Sequence, residues 1–441
     1  MTEAAQSPEA PEPAPSLSFE AHLAASLANL DALGLTRSTA SRVPADKIDL
    51  TGNDTLGLGR DDDVRRRFLT HAEGRLFAFA DDDASRPGEL RFGSGASRIL
   101  GGDPAVFDRL EKKLGDMYGR PGGVLLFQSG WHANSGILPA LAAATPPKKT
   151  AFVADREVHA SMIDGITMLR SQGVRVERFR HNDPSHLEHF VTKLEADHDV
   201  VWVALESLYS MSGDVAPLAF LPELKARHPK VRIILDEAHA FGAWGPQGLG
   251  LAAEAGVLSS IDVVIGTFGK ALAAAGAFVA TTPELRTWLV SRHRPFIYST
   301  AMPPAEALWV EYALEQTEMI EARRFALARI CGIVGGIGNP DAKYHVIPIP
   351  FPTVESLMKA QKALLRRGFA AAAVRPPTVR VPQLRISLSA ALKPEDAEKL
   401  RSELLTLVET ARRQAEKAEK AEKAEKAKKA AKTAQTEVDA R

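Results

Sequence analysis

Short runs of consecutive apolar residues alternate along the chain with stretches whose apolar residues recur at helical spacing. Six runs lack the polar alternation of a half-exposed strand: 124–128, 150–153, 200–204, 231–235, 263–266 and 277–280. Unbroken apolar runs of this length are typical of parallel strands that are buried on both faces. Helical stretches such as Leu218–His228 lie between them and supply the crossovers. The pattern predicts an α/β domain with a large, mostly parallel sheet covered by helices on both faces.

The pattern changes after Pro303–Pro304, where a long helical stretch (305–327) precedes short strand-like runs near 344–349, 371–374 and 385–389. Helical stretches lie between and after these runs, which predicts a second, smaller C-terminal α+β domain. The resulting division has five parts. They are a leader (1–17), an N-terminal segment (18–60), a large α/β domain (61–304), a small domain (305–414) and a tail (415–441).

The two ends of the chain differ from the rest in composition. The leader is Pro, Ala and Glu with no apolar period, so we expect it to be disordered. The tail repeats Ala-Glu-Lys and is then rich in Ala and Lys. Such a composition favours a solvated helix without an apolar stripe that could dock.

Charge and cysteine content narrow the class of protein. Lys and Arg number 55 and Asp and Glu number 55, a formal net charge of +0, which disfavours binding to nucleic acid or to an anionic membrane. No apolar run reaches the roughly 20 residues that span a bilayer, and the N-terminus lacks the features of a signal peptide. The single cysteine, Cys331, rules out an internal disulfide and is expected to be buried. We therefore expect a soluble, cytoplasmic protein.

Three chemically distinctive positions follow predicted strands. They are Asp236 after 231–235, Lys270 after 263–266, and Ser129–Trp131, which opens a helical stretch after 124–128. Ligands of open α/β sheets bind beyond the carboxyl ends of the strands, so these positions should meet. Each alone has an ordinary explanation as a helix cap, a loop ion pair or a solvated lysine. Together they match the needs of pyridoxal 5'-phosphate (PLP): a lysine, an acid at the ring nitrogen and a helix start for the phosphate.

Two other patterns are weaker. Asp236–His239 spells a helicase motif, but a P-loop ATPase also needs a Gly-rich loop ending in Gly-Lys-Ser/Thr, and Ala271 follows Lys270 here. The histidines at 181, 186 and 189 match no standard zinc spacing, so we interpret them as surface residues and predict no metal site.

Several segments together resemble the α-oxoamine synthase family, which are fold-type I PLP enzymes that join an amino acid to an acyl thioester with loss of CO2. The resemblance spans about residues 30–407. It is carried by Asn53–Leu58, Gly93–Arg98, Asp236–His239 with Gly242, Gly245, Gly248 and Gly250, Thr267–Lys270, and Tyr298–Thr300 with Pro303–Pro304.

The resemblance implies a role for each matching residue. Lys270 would hold PLP covalently, Asp236 would keep its ring nitrogen protonated, and His159 would stack on the ring and assist the acyl transfer. His239 and Ser210 would bond the ring hydroxyl, Gly130 and Trp131 would give backbone amides, and Thr267 would reach the phosphate. Thr300 would reach the phosphate of a partner subunit, which implies a homodimer. Arg385 would bind the amino-acid carboxylate, with Asn53 among the substrate-binding residues.

The segment Arg375–Val379 most resembles the branch that condenses L-alanine with a pimeloyl thioester, of coenzyme A or a carrier protein, in biotin synthesis. Thr378 and Arg37 would contact the substrate there. Thr55, Phe107 and Leu392 depart from the family pattern at positions that affect the acyl pocket. The alternatives keep the cofactor: 2-amino-3-ketobutyrate ligase, serine palmitoyltransferase and a long-chain aminoketone synthase. A non-catalytic subunit is disfavoured because Lys270 is present.

Overall fold

The protein is described from a computed structural model over residues 18–37, 39, 43–76, 92–101, 105–146, 148–413 and 416. The predicted disordered leader lies outside these residues, as does the predicted tail apart from residue 416. The chain forms two compact units, one ending at Ala45 and one beginning at Asp46. The first contains helix α1 (Phe19–Ala32), whose N-cap Ser18 accepts a hydrogen bond from the Ala21 N–H at 3.3 Å.

The second unit contains the strands and the remaining helices. The strands are β1 (Ile48–Leu50), β2 (Val124–Phe127), β3 (Thr150–Asp155), β4 (Arg175–Phe179), β5 (Val200–Glu206), β6 (Val231–Asp236), β7 (Val263–Thr267), β8 (Ala277–Ala280), β9 (Val346–Pro350), β10 (Phe369–Val374) and β11 (Gln383–Ser387). The helices are α2 (Asp62–Leu76), α3 (Arg98–Gly101), α4 (Ala105–Met117), α5 (Gly130–Ala142), α6 (Ala160–Ser171), α7 (Pro184–Glu195), α8 (Phe220–Arg227), α9 (Leu251–Glu254), α10 (Pro283–Arg292), α11 (Arg294–Tyr298), α12 (Pro304–Glu315), α13 (Thr317–Val334) and α14 (Val354–Arg366). Two 3₁₀ turns, Pro246–Gly248 and Leu258–Ser260, precede β7, and a last helix covers 394–413.

The larger sheet has seven strands in the order β2-β8-β7-β6-β5-β3-β4. All six predicted strands are in it, and the prediction of a mostly parallel α/β sheet is confirmed. The direction of 277–280 differs, because β8 runs antiparallel to both β7 and β2. A parallel neighbour requires a crossover of a dozen or more residues, whereas the turn from Thr267 to Ala277 is shorter than that. Strand β4 was not predicted, and only Val176 and Phe179 of its five residues are buried.

Alternate residues of the strands face two separate cores. Val124 and Leu126 belong to one buried cluster, and Leu125 and Phe127 to the other. The second cluster includes residues of α5 and α6, such as Ile137 and Met162. Helices therefore cover both faces of the sheet, as the unbroken apolar runs predicted.

The smaller sheet has four strands in the order β1-β10-β11-β9. Strand β1, from the region before the large sheet, pairs in parallel with β10, with Ile48 opposite Phe369. The predicted helix over 305–327 is wrong in its extent, because α12 ends and α13 begins around Gln316, whose ψ of 55° is not helical. The predicted domain boundaries stay predictions. Cys331 is buried, as expected, and no helix of the described ranges is long and apolar enough to cross a membrane.

Candidate active site

The carboxyl ends of three parallel strands bring polar side chains to one edge of the larger sheet. Glu206 ends β5, Asp236 ends β6 and Thr267 ends β7, with Glu206 directly opposite Asp236 in the strand register. Helix α5 begins after β2 and packs against β7 and β8. This edge is where an α/β sheet binds its ligands, as the sequence predicted.

Asp236 is 4% exposed, and both of its carboxylate oxygens accept hydrogen bonds. Oδ1 accepts from the Ala238 N–H at 2.8 Å, and Oδ2 accepts from Asn134 Nδ2 at 2.7 Å. The backbone of the β6 exit and a side chain of α5 thus fix the orientation of the carboxylate. Asn134 did not stand out in the sequence, because an asparagine inside a helix carries no motif of its own.

Glu206 is a second buried acid that the sequence analysis missed. It is 2% exposed, and its Oε1 has no hydrogen-bond partner among the described residues. Burial, followed by the charge of Asp236, raises its pKa well above its ordinary value. Glu206 and Asp236 occupy paired positions on adjacent strands, so a negative charge on one disfavours a negative charge on the other.

Lys270 lies in the turn between β7 and β8 and is half-buried. Burial lowers the pKa of its amine to about 8, although the charges of Asp236 and Glu206 act in the opposite direction. The Ala273 N–H donates to the Lys270 carbonyl at 3.1 Å and so closes the turn. An amine with a lowered pKa is available in its free-base form for covalent bonding to a carbonyl compound.

The start of α5 and the end of β7 lie close together. A Cβ atom on Gly130 would be 3.7 Å from Thr267 Oγ1, and that hydroxyl donates to the Gly276 carbonyl at 3.0 Å. Ser129 caps the helix by accepting from the His132 N–H, and the other first-turn amides of α5 have no acceptor within the helix. A helix N-terminus of this kind, with Thr267 beside it, suits a phosphate group. Trp131 is 48% exposed and makes an edge contact with His159 at 6.4 Å between ring centroids.

His159 is the N-cap of α6, and its ring is held by Ser161. The Ser161 hydroxyl lies 2.7 Å from His159 Nδ1, and the Ser161 N–H donates to the same nitrogen at 3.2 Å. The Ser161 hydroxyl also accepts from Asn134 Nδ2 at 3.1 Å. Burial lowers the pKa of His159, and Lys270 acts in the same direction while Asp236 opposes it.

His239 follows β6, three residues after Asp236, and lies in a row of aromatic rings. It is 7% exposed, and its Nδ1 has no partner within the described ranges. Burial and then the charge of Lys270 lower its pKa well below the ordinary value, so the ring is neutral. Its ring stacks on His345 at 6.2 Å, and His345 Nδ1 accepts from Trp244 Nε1 at 3.0 Å. His345 comes just before β9 and was not predicted as a site residue.

Arg385 points from β11 toward the same region and is 5% exposed. Its Nε donates to the Ser210 carbonyl at 2.6 Å, Nη1 to Ser387 Oγ at 2.6 Å and Nη2 to Asn53 Oδ1 at 3.0 Å. These contacts use three of the five N–H groups of a guanidinium. Burial lowers its pKa to about 10, which still leaves it charged at neutral pH.

Arg385 connects three parts of the chain that are far apart in sequence. Asn53 follows β1, and Ser210 belongs to the loop after β5. The predicted site residues Asn53, Ser210 and Arg385 are therefore brought together. No sequence signal pointed to this contact, because it depends on the pairing of β1 with β10.

Two predicted residues are not part of this cluster, and a third belongs to the other unit of the chain. Thr378 is exposed in the turn between β10 and β11, and Thr300 is exposed after α11. Arg37 is exposed in the unit that ends at Ala45. Their assigned roles in binding substrate or a partner's cofactor stay predictions.

The residues that depart from the family pattern are all buried. Phe107 packs in the core with the guanidinium of Arg98 5.1 Å from its ring centroid. Thr55 donates its hydroxyl to the Asn53 carbonyl at 3.0 Å, so it shapes the turn that carries Asn53. Leu392 lines a cavity of about 280 Å³ together with Asp49, Arg60 and Ser389.

The interpretation of His181 as a surface residue is wrong. Its Nδ1 lies 2.9 Å from Asp155 and its Nε2 lies 3.0 Å from Asp214. Burial alone would lower the pKa of His181, but the two carboxylates outweigh it and raise the pKa to about 10. The charged ring therefore ties the end of β3 to the loop that carries Ser210. Sequence spacing cannot reveal such an ion pair, because its acids are distant in the chain.

The side chains at this sheet edge fit PLP. The cofactor has an aldehyde for the Lys270 amine, a ring nitrogen for the Asp236 carboxylate and a phosphate for the α5 start beside Thr267. A ring hydroxyl would also supply a partner for the buried His239 Nδ1.

The comparisons agree with this chemistry. The family model "Aminotransferase class I and II" matches residues 45–404, so the chain belongs to that family. Solved structures of similar fold include the Sphingomonas wittichii serine palmitoyltransferase, with a TM-score of 0.73 and 25% identity over 90% of this chain and 99% of that one. A serine palmitoyltransferase variant of S. paucimobilis, solved with bound PLP and myriocin, has a TM-score of 0.72 and 25% identity over 88% of this chain and 97% of that one.

Curated relatives define the type of enzyme within this family more closely. A Pasteurella multocida protein named "Putative 8-amino-7-oxononanoate synthase" is 37% identical over 370 residues, which are 82% of this chain and 90% of that protein. A Neisseria meningitidis serogroup C protein of the same name is 34% identical over 78% of this chain and 87% of that protein. Within its family the chain is an α-oxoamine synthase, a PLP-dependent acyltransferase of fold type I, as its motifs predicted.

Proposed function

We propose that the chain condenses L-alanine with a pimeloyl thioester to give 8-amino-7-oxononanoate, CO2 and a free thiol, the step that its named relatives suggest for biotin synthesis. Arg385 is the observation that carries the proposal. Its buried, charged guanidinium faces the site that contains Lys270, where an amino-acid carboxylate would supply a paired counter-charge. A buried guanidinium at this place would bind the carboxylate of an amino acid, which is one of the two proposed substrates.

The reaction forms one carbon–carbon bond and breaks one carbon–sulfur bond and one carbon–carbon bond. The α-carbon of alanine loses its proton and bonds to the acyl carbon while the C–S bond to the thiol breaks. The bond from the α-carbon to the carboxylate then breaks, and a proton returns to that carbon. PLP, when bound, supplies the electron sink that stabilises negative charge at the α-carbon.

The residues at the sheet edge have separate roles in proton transfer and in charge stabilisation. Lys270, once its amine is free, removes the α-proton, for which a pKa of about 8 is well placed near neutral pH. Asp236 presents a fixed negative charge, held by Asn134 and the Ala238 N–H, to the ring nitrogen. His159 presents a neutral ring with a proton on Nε2, which can donate to a carbonyl or carboxylate oxygen of the substrates.

Arg385 and Asn53 fix the amino acid. Two further N–H groups of Arg385 are available for a bidentate hydrogen bond to the substrate carboxylate, and its contacts with Asn53, Ser387 and Ser210 hold the guanidinium plane in place. We further assign Thr378 and Arg37 to the acyl substrate. Thr300, exposed after α11, would bind the phosphate at the site of a second subunit in a homodimer.

Turnover against a panel of substrates tests the proposal. Purified protein with PLP is assayed with L-alanine, glycine or L-serine, each with pimeloyl, acetyl and palmitoyl thioesters of coenzyme A, and pimeloyl is also tested on a carrier protein. L-alanine with a pimeloyl thioester should give the highest kcat/KM. Expression of the chain should also restore growth without biotin to a strain that lacks this step.

The structural similarity to serine palmitoyltransferases supports one alternative activity. Faster turnover of L-serine with palmitoyl-CoA would replace the proposal by that activity, and glycine with acetyl-CoA would indicate a 2-amino-3-ketobutyrate ligase. Preference for L-alanine with only long acyl chains would indicate an aminoketone synthase of another pathway. Each of these outcomes contradicts the proposal and leaves the family assignment intact.

A further inference from the structure

Asn134 and Ser161 form a hydrogen-bonded chain between the two site residues Asp236 and His159. We propose that this chain, which we call the Asn134–Ser161 relay, holds His159 as the neutral tautomer with its proton on Nε2 and couples the position of its ring to that of the Asp236 carboxylate. Asn134 and Ser161 are thus positioning residues. No family motif singled them out.

The donors and acceptors of the relay can be assigned in only one consistent way. The Ser161 backbone N–H can only donate, so His159 Nδ1 accepts its hydrogen bond at 3.2 Å and carries no proton. The Ser161 hydroxyl then also donates to Nδ1, at 2.7 Å, so the two donors share the single lone pair of this nitrogen. Its oxygen remains free to accept from Asn134 Nδ2 at 3.1 Å.

The amide orientation of Asn134 follows from its second contact. Nδ2 also donates to Asp236 Oδ2 at 2.7 Å, and a flipped amide would place Oδ1 against the carboxylate, where two acceptors face each other. Both hydrogens of the amide are therefore used, one toward Asp236 and one toward Ser161. The neutral His159 ring must carry its proton on Nε2.

Both residues of the relay are buried. Asn134 is 3% exposed and Ser161 is 0% exposed, so water does not replace a missing partner. Asn134 lies on α5 and Ser161 on α6, two helices that pack closely against each other. Loss of the Ser161 hydroxyl would therefore loosen the histidine ring, loss of the Asn134 amide would release one oxygen of the acid, and either loss leaves the other member of the relay without a buried partner.

The tautomer is measured directly in the protein without cofactor. Nitrogen-15 NMR of histidine-labelled protein, with His159→Gln to assign its signals, should show a protonated Nε2 and an unprotonated, hydrogen-bonded Nδ1 at pH 7.5. A protonated Nδ1, or rapid exchange between the two tautomers, would overturn the proposal. This measurement does not depend on any substrate.

A double-mutant cycle on PLP affinity measures the coupling. Ser161→Ala and Asn134→Ala should each raise the Kd for PLP about 10-fold, and the double variant should remain near 10- to 20-fold rather than about 100-fold, because either change breaks the same chain. Additive effects would contradict the relay. Ser161→Thr, which keeps the hydroxyl, should recover most of the affinity if it folds with unchanged thermal stability.

Ser135→Ala is the matched control. Ser135 is a buried serine next to Asn134 on α5, and its hydroxyl is not part of the relay. Its effect on the Kd should add to that of Ser161→Ala. A kinetic arm rests on the proposed function: Ser161→Ala should lower kcat with little change in the KM for L-alanine. If L-alanine is not a substrate but the NMR and Kd results hold, the proposed function fails and the relay stands.

Discussion

The amine of Lys270 is subject to opposing influences at the scale of single residues. Burial disfavours its charged form, while the carboxylate of Asp236 favours it. Burial has the larger effect, and the pKa falls from 10.5 to about 8. At pH 7 about one amine in ten is then a free base, against about one in three thousand for an unperturbed lysine.

We therefore expect the rate of covalent PLP attachment to rise with pH, with its midpoint near pH 8, because only the free amine reacts. Stopped-flow measurement of the visible absorbance from pH 6 to 10 checks this. Lys270→Ala should show no covalent attachment, and peptide mapping after borohydride reduction should locate the cofactor on Lys270. A midpoint near 10.5 would contradict the effect of burial.

Two isosteric variants distinguish the effects of Asp236 and Glu206 on Lys270 in the same experiment. Asp236→Asn removes a negative charge, so the midpoint should move to lower pH. The activation free energy for exchange of the substrate α-proton should rise by roughly 3 to 4 kcal/mol. Glu206→Gln removes a second carboxyl group whose charge favours the charged amine, so its midpoint should also move to lower pH. An unchanged midpoint in Glu206→Gln would mean that Glu206 carries no charge beside Lys270.

At the scale of elements, strand β11 presents Arg385 with its guanidinium fixed by residues of two other segments. Arg385→Lys keeps one charge but cannot reproduce the planar set of donors. The KM for the amino acid should rise about 10- to 100-fold, the scale of a charge-assisted hydrogen bond. Steady-state kinetics with L-alanine measure it, and the Kd for PLP should be unchanged. An unchanged KM would remove Arg385 from carboxylate binding.

Strand β7 depends on a glycine for its packing. A Cβ on Gly266 would lie 2.2 Å from Cε1 of Phe278, a fully buried ring of the next strand. Gly266→Ala should therefore lower the free energy of unfolding by about 2 to 3 kcal/mol. Urea unfolding without PLP measures this, and Phe278→Leu in the same chain should recover part of the loss.

Gly332 provides the contrasting variant. It is exposed within α13, and a Cβ there would have no heavy atom within 4 Å. Gly332→Ala should raise the free energy of unfolding by about 0.5 to 1 kcal/mol, because alanine loses less backbone entropy in a helix. Equal effects of the two alanines would show that space at Gly266 is not limiting.

At the scale of the whole molecule, helix α1 exposes an apolar stripe. The stripe consists of Phe19, Leu23, Leu27, Leu30 and Leu33, each 40–73% exposed. A stripe of this kind is typical of a surface that another protein covers. Together with the exposed Thr300, it supports the proposed homodimer.

Sedimentation velocity should therefore give twice the chain mass of 47.6 kDa at assay concentration. The double change Leu23→Glu and Leu27→Glu should shift the protein toward monomer and reduce its activity. Ala28→Glu, on the opposite side of the helix at 100° per residue, is the control and should leave the dimer intact. A fully active monomer would contradict the assembly of the site from two subunits.

The unbroken apolar runs were sufficient to predict the large sheet, because a strand buried on both faces has to be apolar throughout. They could not predict β4 or β1, since β4 has partly exposed positions and β1 has only three residues. Nor could they predict the direction of β8, which depends on how the turn after Thr267 closes. The break between α12 and α13 at Gln316 likewise lacks a proline or glycine at that position.

The identity of Asp236, Lys270 and the α5 start followed from the sequence by itself, because each comes directly after a strand and parallel strands end at one edge. What only the tertiary structure decided is how the other side chains support them. Asn134 reaches Asp236, Asn53 reaches Arg385 and Glu206 lies opposite Asp236 through contacts between distant segments. Strand order, register and helix packing fix these contacts, and none of the three leaves a local pattern in the chain.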